Sequence, residues 1–189
     1  MGDKEKLKLF LTRKSVRKYK EDPIDREMIG SILEAARWAP SARNRQPWEF
    51  IIIDDPELKS KAVKATGINT NIGFLNSAPV LIVGLADKKK NLRFNGIDYY
   101  LIDFAIAMEH LILAAWEYGL GTCWVAWFSS KKLRSLLSIP KRFEIVAISP
   151  LGYPSDSSPG MMEKISRLSV GSKNRKEQKD FVFFNGYGR

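Results

Sequence analysis

Residues 99–116 have the sequence YYLIDFAIAMEHLILAAW, which is the longest apolar run in the chain. Three polar residues, Asp103, Glu109 and His110, interrupt an otherwise apolar run. Such a run predicts a buried helix rather than a membrane span, which needs about 20 predominantly apolar residues. Because the predicted helix (98–118) is apolar on nearly every side, it needs cover all round. In a chain of 189 residues we expect a second subunit to supply part of that cover.

Apolar runs and helical periodicity predict the remaining elements on both sides of this helix. Strands are expected at 48–53, 80–85, 122–128 and 143–151, and shorter helices at 4–11, from Asp25 to Pro40, from Asp55 onward, and from Ser129 or Ser130 to Leu137. Residues 87–90 are expected to form a solvated charged loop. These elements predict an α+β fold, with a mixed sheet of four to five strands covered by helices on both faces.

The last part of the chain differs from the rest. Residues 154–189 are polar and rich in Gly, Ser and Lys until the apolar tetrapeptide 181–184 (Phe-Val-Phe-Phe). A very apolar segment at the end of a polar arm is expected to pair with a sheet, either its own or a neighbour's. We therefore interpret 1–189 as one domain whose residues 154–189 form a C-terminal arm.

Charge and cysteine content narrow the possible functions. The net charge is +10 and the pI is near 9.7, but the cations are spread along the chain, which favours a solvated surface or attraction of nucleotides. A basic nucleic-acid-binding module is the remote alternative. With one cysteine and one histidine, the chain can form no internal disulfide and is not expected to hold zinc. A cytoplasmic protein without membrane association is expected, since Met1–Lys8 is mostly charged.

A basic cluster follows the first predicted helix, at Arg13-Lys14-Ser15-Val16-Arg17. Guanidinium groups bind phosphate bidentately, and a serine hydroxyl adds a further hydrogen bond. The cluster therefore suits a phosphate group, although a solvated basic turn has the same composition.

A second candidate is the loop Pro40-Ser41-Ala42-Arg43-Asn44-Arg45-Gln46-Pro47, where two prolines flank several polar side chains. Ser41, Asn44 and Gln46 both donate and accept hydrogen bonds, so such a loop can read the edge of a planar heterocycle. An ordinary helix-to-strand connection is the alternative.

A third candidate is Gly119-Leu120-Gly121-Thr122-Cys123-Trp124, which leads into a predicted strand. Glycines there permit close backbone approach to a flat ligand. Cys123 is expected to be a buried structural thiol, and His110 a hydrogen-bonded interior or interface residue.

In this order and spacing, the three segments resemble the nitroreductase family of FMN-dependent NAD(P)H oxidoreductases. Further similarity lies in the helix end Glu34–Ser41, in Leu151-Gly152-Tyr153-Pro154 and in Phe183-Phe184-Asn185, so the resemblance spans essentially the whole chain. It implies an intertwined homodimer with exchanged C-terminal arms and FMN at the subunit interface.

The resemblance also implies a role for each candidate residue. Arg13 and Ser15, with Lys14 beside them, would hold the phosphate and ribityl side of FMN, and Arg17 would lie near the pyrimidine edge. From the other subunit would come Pro40, Ser41, Asn44 and Gln46. Backbone amides around Val125 and Ala126 would face the ring, Asn71 would contact the pyrimidine edge, and Arg167 would return to the phosphate.

The implied activity is electron transfer from NAD(P)H through the flavin to small organic acceptors, such as nitroaromatics or quinones, with no obligatory acid or base from the protein. A flavin-dependent dehalogenase, dehydrogenase or flavin-fragmenting enzyme of the same fold is the main alternative. Arg43 and Arg45 favour an acidic substrate, and the bulky Trp127 and Phe128 predict a narrow pocket over the flavin.

Overall fold

The computed structural model describes residues 3–67, 73–155 and 174–188. The chain divides into two compact units, Met1–Asp156 and Ser157–Arg189. The larger unit contains α1 (Asp3–Lys6), α2 (Lys8–Thr12), α3 (Arg26–Arg37), β1 (Trp48–Ile53), α4 (Pro56–Ala65), α5 (Phe74–Ser77), β2 (Val80–Asp87), β3 (Arg93–Phe94), β4 (Ile97–Asp98), α6 (Tyr99–Glu117), β5 (Gly121–Thr122), α7 (Ser130–Leu136) and β6 (Phe143–Gly152). Short 3₁₀ turns lie at Ala42–Asn44 and Lys88–Lys90.

A four-stranded sheet, in the order β1-β2-β6-β5, forms the centre of the larger unit. All three strand pairs are antiparallel, so the sheet differs in strand direction from the predicted mixed sheet. Among the described residues, parallel pairing is limited to one bridge between Ser15 and Thr122. An apolar run indicates only that a strand is buried on both faces. Because helices can bury an antiparallel sheet as fully as a parallel one, the run does not indicate strand direction.

Strand β2 shows how the helices cover both faces. Val80 and Ile82 belong to a core with α3 and α6, whereas Leu81, Val83 and Leu85 belong to a second core with α4 and α7. This alternation follows from the side-chain period of a strand. The predicted helix layers on both faces are therefore confirmed.

Helix α6 packs its middle against the sheet. Phe104, Met108 and Leu111 are fully buried, and a side chain at Gly84 of β2 would collide with the Phe104 ring. By length and composition α6 would also suffice to cross a membrane, but these contacts are those of a core helix. Its first turn is different, because Leu101 and Ile102 are 38% and 43% exposed.

Several local predictions are confirmed and others are corrected. Asp25 caps α3 by accepting from the Glu27 amide, and Asp55 caps α4 in the same manner. The single helix expected at 4–11 is instead two short helices, α1 and α2. No residue of α2 is buried, so no core contact stabilises one continuous helix. Asp87 is buried at the end of β2, 3.5 Å from Arg142 Nε, rather than solvated in a loop.

The smaller unit contains a 3₁₀ turn at Gln178–Asp180 among its described residues. Phe181–Phe184 follows it without strand structure, and the ring of Phe183 packs on that of Tyr187 at 4.6 Å. Phe181, Phe184 and Tyr187 are exposed. The pairing of this segment with the sheet of a second subunit stays a prediction.

Candidate functional site

The first and third candidate segments lie side by side in the larger unit. The Val16 amide donates to the Thr122 carbonyl at 2.8 Å, beside the parallel bridge between Ser15 and Thr122. Gly121 makes this approach possible, because a Cβ there would lie 2.6 Å from the Val16 Cβ. The basic cluster therefore runs along the outer edge of β5.

Three residues of the basic cluster lower the pKa of the buried Cys123 thiol. Burial raises the pKa of Cys123, while the charge of Arg17, a hydrogen bond from Ser15 and the charge of Arg13 partly oppose this shift. Cys123 thus stays a protonated thiol at neutral pH, as expected for a structural cysteine. Arg13, Ser15 and Arg17 are half-buried, whereas Lys14 is exposed, and alternation along an extended segment places it on the opposite side.

Among the residues that the structure describes, both arginines of this segment lack a carboxylate partner. Neither Arg13 nor Arg17 forms an ion pair within the described part of the chain. Half-buried guanidinium groups without an acidic partner suit a bound anion such as a phosphate. This arrangement fits the phosphate and the electron-rich ring edge of a flavin nucleotide.

The predicted strand at 122–128 is interrupted after Thr122. The register of β5 and β6 places Cys123 opposite Pro150, which has no N–H to contribute to the ladder. The Cys123 amide is directed instead to the buried Ser149 hydroxyl at 3.3 Å. Pairing resumes for one position only, at Val125 and Ile148.

This interrupted edge leaves backbone donors available. Val125 and Ile148 exchange two hydrogen bonds of 2.9 Å, so the Val125 amide is already used. The neighbouring amides of Trp124 and Ala126 point away from β6, and neither has an acceptor among the described residues. Ala126 is exposed, so its N–H is the available donor of the predicted Val125–Ala126 pair.

The loop at 40–47 is held in a strained conformation by its own side chains. Arg43, Asn44 and Gln46 have φ angles of 51°, 54° and 46°, which non-glycine residues adopt rarely. Ser41 Oγ accepts from the Gln46 amide at 3.0 Å, and Gln46 Nε2 donates to Asn44 Oδ1 at 2.8 Å. Pro40 is exposed at the start of the loop.

Sequence reasoning missed Asp103 as a functional candidate. This carboxylate is 3% exposed within an apolar helix and accepts from the Ala42 amide at 3.0 Å, which fixes the loop to the first turns of α6. The signal was present in the sequence, because a buried charge is costly unless it is hydrogen-bonded. In the sequence alone, Asp103 indicates only an interruption of an apolar run.

Within one chain, the loop at 40–47 and the basic cluster lie at opposite ends of α6. The loop contacts Asp103, whereas Trp116 Nε1 donates to Thr12 Oγ1 at 3.0 Å, just before Arg13. A rise of 1.5 Å per residue puts about 20 Å between Asp103 and Trp116. The structure thus unites the first and third candidate segments but not the second.

The other expected residues are placed as follows. Asn71 and Arg167 lie outside the described residues. His110 Nδ1 lies 3.2 Å from the Ala35 carbonyl, between α6 and α3, which agrees with an interior residue. In the described ranges no group of three His, Cys, Asp or Glu residues is arranged to hold a metal ion.

Comparison with known proteins decides the family. The model of the nitroreductase family matches residues 11–70 and 69–153. The chain belongs to the nitroreductase family. A relative from Archaeoglobus fulgidus, provisionally named NADH dehydrogenase/NAD(P)H nitroreductase, is 38% identical over 154 residues, which are 79% of this chain and 86% of that protein.

Two further proteins that resemble this chain differ in their named activities. The solved structure of an FMN-dependent nitroreductase from Clostridium difficile R20291 superposes with a TM-score of 0.73 at 29% identity, covering 95% of this chain and 98% of that chain. Iodotyrosine deiodinase 1 of Rattus norvegicus is 28% identical over 183 residues, which are 82% of this chain and 64% of that protein. The proteins to which this chain is similar thus carry names of more than one reaction.

Proposed function

We propose that this nitroreductase family protein is an FMN-dependent oxidoreductase that passes electrons from NAD(P)H to small organic acceptors, such as nitroaromatics or quinones. The observation that carries the proposal is the edge of β5, where two arginines and the Ala126 amide have no carboxylate or carbonyl partner among the described residues. These are the groups that a flavin phosphate and a flavin ring require. The named activities of relatives support the same reaction class.

Each group along this edge has a proposed role. Arg13 and Ser15 bind the phosphate and ribityl side of FMN, and Lys14 adds positive charge from the exposed side. Arg17 lies at the pyrimidine edge, where a cation favours the anionic reduced flavin and raises its potential. The Ala126 amide donates to the ring, since the Val125 amide is used within the sheet. Asn71 and Arg167 are proposed as additional contacts.

Bound FMN supplies the hydride chemistry. The protein residues bind and orient it, and none of them is required as an acid or a base. The indole of Trp127 is 93% exposed and is proposed to narrow the space beside the ring, whereas Phe128 packs against the core with α4 and α7. A flat donor or acceptor would therefore stack on the flavin more readily than a bulky one.

A homodimer completes the site in this proposal. Within one chain, the loop that carries Pro40, Ser41, Asn44 and Gln46 is attached to α6 at Asp103, about 20 Å along the helix from Trp116, which contacts the start of the basic cluster. A second copy would therefore bring its own loop to the flavin. Leu101, Ile102 and the 72%-exposed Trp38 present apolar surface for such an interface. The apolar segment at 181–184 would then pair with the partner subunit's sheet.

Two further points complete the proposal. A reducing cytoplasm suits a chain with one buried thiol, and we propose that location. A flavin-dependent dehalogenase is the second candidate, and the similarity to iodotyrosine deiodinase favours it.

The test is a visible absorption spectrum of the protein after addition of FMN and desalting, followed by anaerobic NADH or NADPH. Retained flavin bands that bleach with a nucleotide are the expected result. Retained bands that neither nucleotide bleaches would replace the proposal with another flavin reaction. Failure to retain FMN at any concentration would overturn the flavin assignment and make salt-sensitive binding of nucleic acid the next hypothesis to test.

A further inference from the structure

A strongly basic surface lies on two neighbouring segments of the larger unit. The Arg45 guanidinium donates to the Asn91 carbonyl at 2.9 Å, and Lys90 Nζ donates to the Gln46 carbonyl at 3.1 Å. These bonds join the loop at 40–47 to the turn after β2. The two joined segments carry six cations, which together are called the basic surface: Arg43, Arg45, Lys88, Lys89, Lys90 and Arg93.

Much of this charge is not neutralised. Lys88 and Arg93 have distant partners, at 3.6 Å from Glu144 and 3.8 Å from Asp98. Arg43 and Lys89 are exposed, and neither has an ion pair within the described part of the chain. Arg43 also has a φ of 51°, and strained non-glycine residues of this kind cluster at binding sites.

The position of the basic surface indicates its ligand. Arg43 is adjacent to Asn44, which the proposed function places against the flavin. Residues 43–45 span at most about 11 Å even when fully extended, so Arg43 and Arg45 both lie close to Asn44. A nucleotide that stacks on that flavin would therefore lie near Arg43. NADPH adds a phosphate monoester, which carries about −1.5 to −2 charge at pH 7, and arginine binds such a group bidentately.

We infer that the basic surface binds the phosphates of the electron donor and makes this protein prefer NADPH to NADH. The inference rests on the proposed function. Both donors gain from attraction to their pyrophosphate, but only NADPH gains from the additional monoester. Since the cations are exposed, salt screens them, and the preference decreases as ionic strength rises.

The test compares anaerobic reduction of the FMN-loaded protein by NADPH and NADH in Arg43→Gln and Lys89→Gln. Arg26→Gln is the matched control, because it removes one exposed arginine charge from the start of α3, where Arg26 pairs with Asp54. We expect the wild-type second-order rate constant of flavin reduction to favour NADPH at low salt. In Arg43→Gln this rate constant falls about tenfold for NADPH, mainly through a higher Kd for the donor, and it falls less for NADH.

Two results would overturn the inference: an unchanged ratio of NADPH to NADH efficiency in both variants, or an equal change of that ratio in Arg26→Gln. Calorimetric binding of NADP⁺ and NAD⁺ to the same proteins measures the preference without turnover. Preferential NADP⁺ binding that is lost in Arg43→Gln would therefore support the inference even if neither donor reduced the flavin. Absence of flavin reduction would contradict only the proposed function.

Discussion

Replacing Gly121 by alanine tests how the basic cluster is held against β5. The new Cβ would lie 2.6 Å from the Val16 Cβ and 3.0 Å from its Cγ1, so Val16 must retreat by about 1 Å to reach an ordinary contact distance. Overpacking of this kind costs about 1–3 kcal/mol of unfolding free energy. The shift also moves Ser15 and Arg17, and we expect FMN to bind about tenfold more weakly because charge-assisted contacts are lost.

The assay measures the FMN dissociation constant by fluorescence titration and Tm by thermal unfolding, where each kcal/mol corresponds to about 2–4 °C in a chain of this length. Adding Val16→Ala to Gly121→Ala should restore space and recover part of both losses. Gly30→Ala is the matched control, since its Cβ meets nothing within 4 Å on α3, and it should stabilise by about 0.5–1 kcal/mol. A destabilised Gly121→Ala that binds FMN with wild-type affinity would refute the reasoning.

Three other predictions concern single groups. Arg17→Ala should weaken FMN binding and lower the flavin potential; redox titration with unchanged values would show that Arg17 is misplaced. Asp103→Ala should cost about 1–3 kcal/mol by leaving the Ala42 amide unpaired; urea unfolding at wild-type stability would contradict this. Burial raises the pKa of Cys123, so the folded state keeps a proton that the unfolded state releases. Stability should therefore be complete below the unfolded pKa and fall as pH rises above it, and unfolding of Cys123→Ala should show a weaker decline between pH 8 and 10.

Three of the four predicted strands, β1, β2 and β6, and the starts of α3 and α4 were predictable because each had a local signal. β1 occupies 48–53, as predicted from the run that follows the loop at 41–47. Asp25 and Asp55 both cap helices through their own side chains, an interaction that depends on only a few neighbouring residues. The long helix was predicted within a residue or two at each end.

What the sequence could not provide was the outcome of long-range pairing. The break after Thr122 depends on Pro150, which lies opposite Cys123 only once the register of β5 and β6 is known. The function of Asp103 likewise depends on a loop amide far away in sequence. The two halves of the candidate site were recognised as motifs, but their separation along α6 follows from the fold alone.

The contact that closes the basic half of the site joins residues 104 positions apart, Thr12 and Trp116. Loop closure over that length is entropically costly and slow compared with local helix formation. During folding, the segment around Thr12 must therefore wait for α6 and β5 before it acquires its place. The candidate site is consequently expected to be one of the last features to form, and a partly folded chain is expected to have no affinity for FMN.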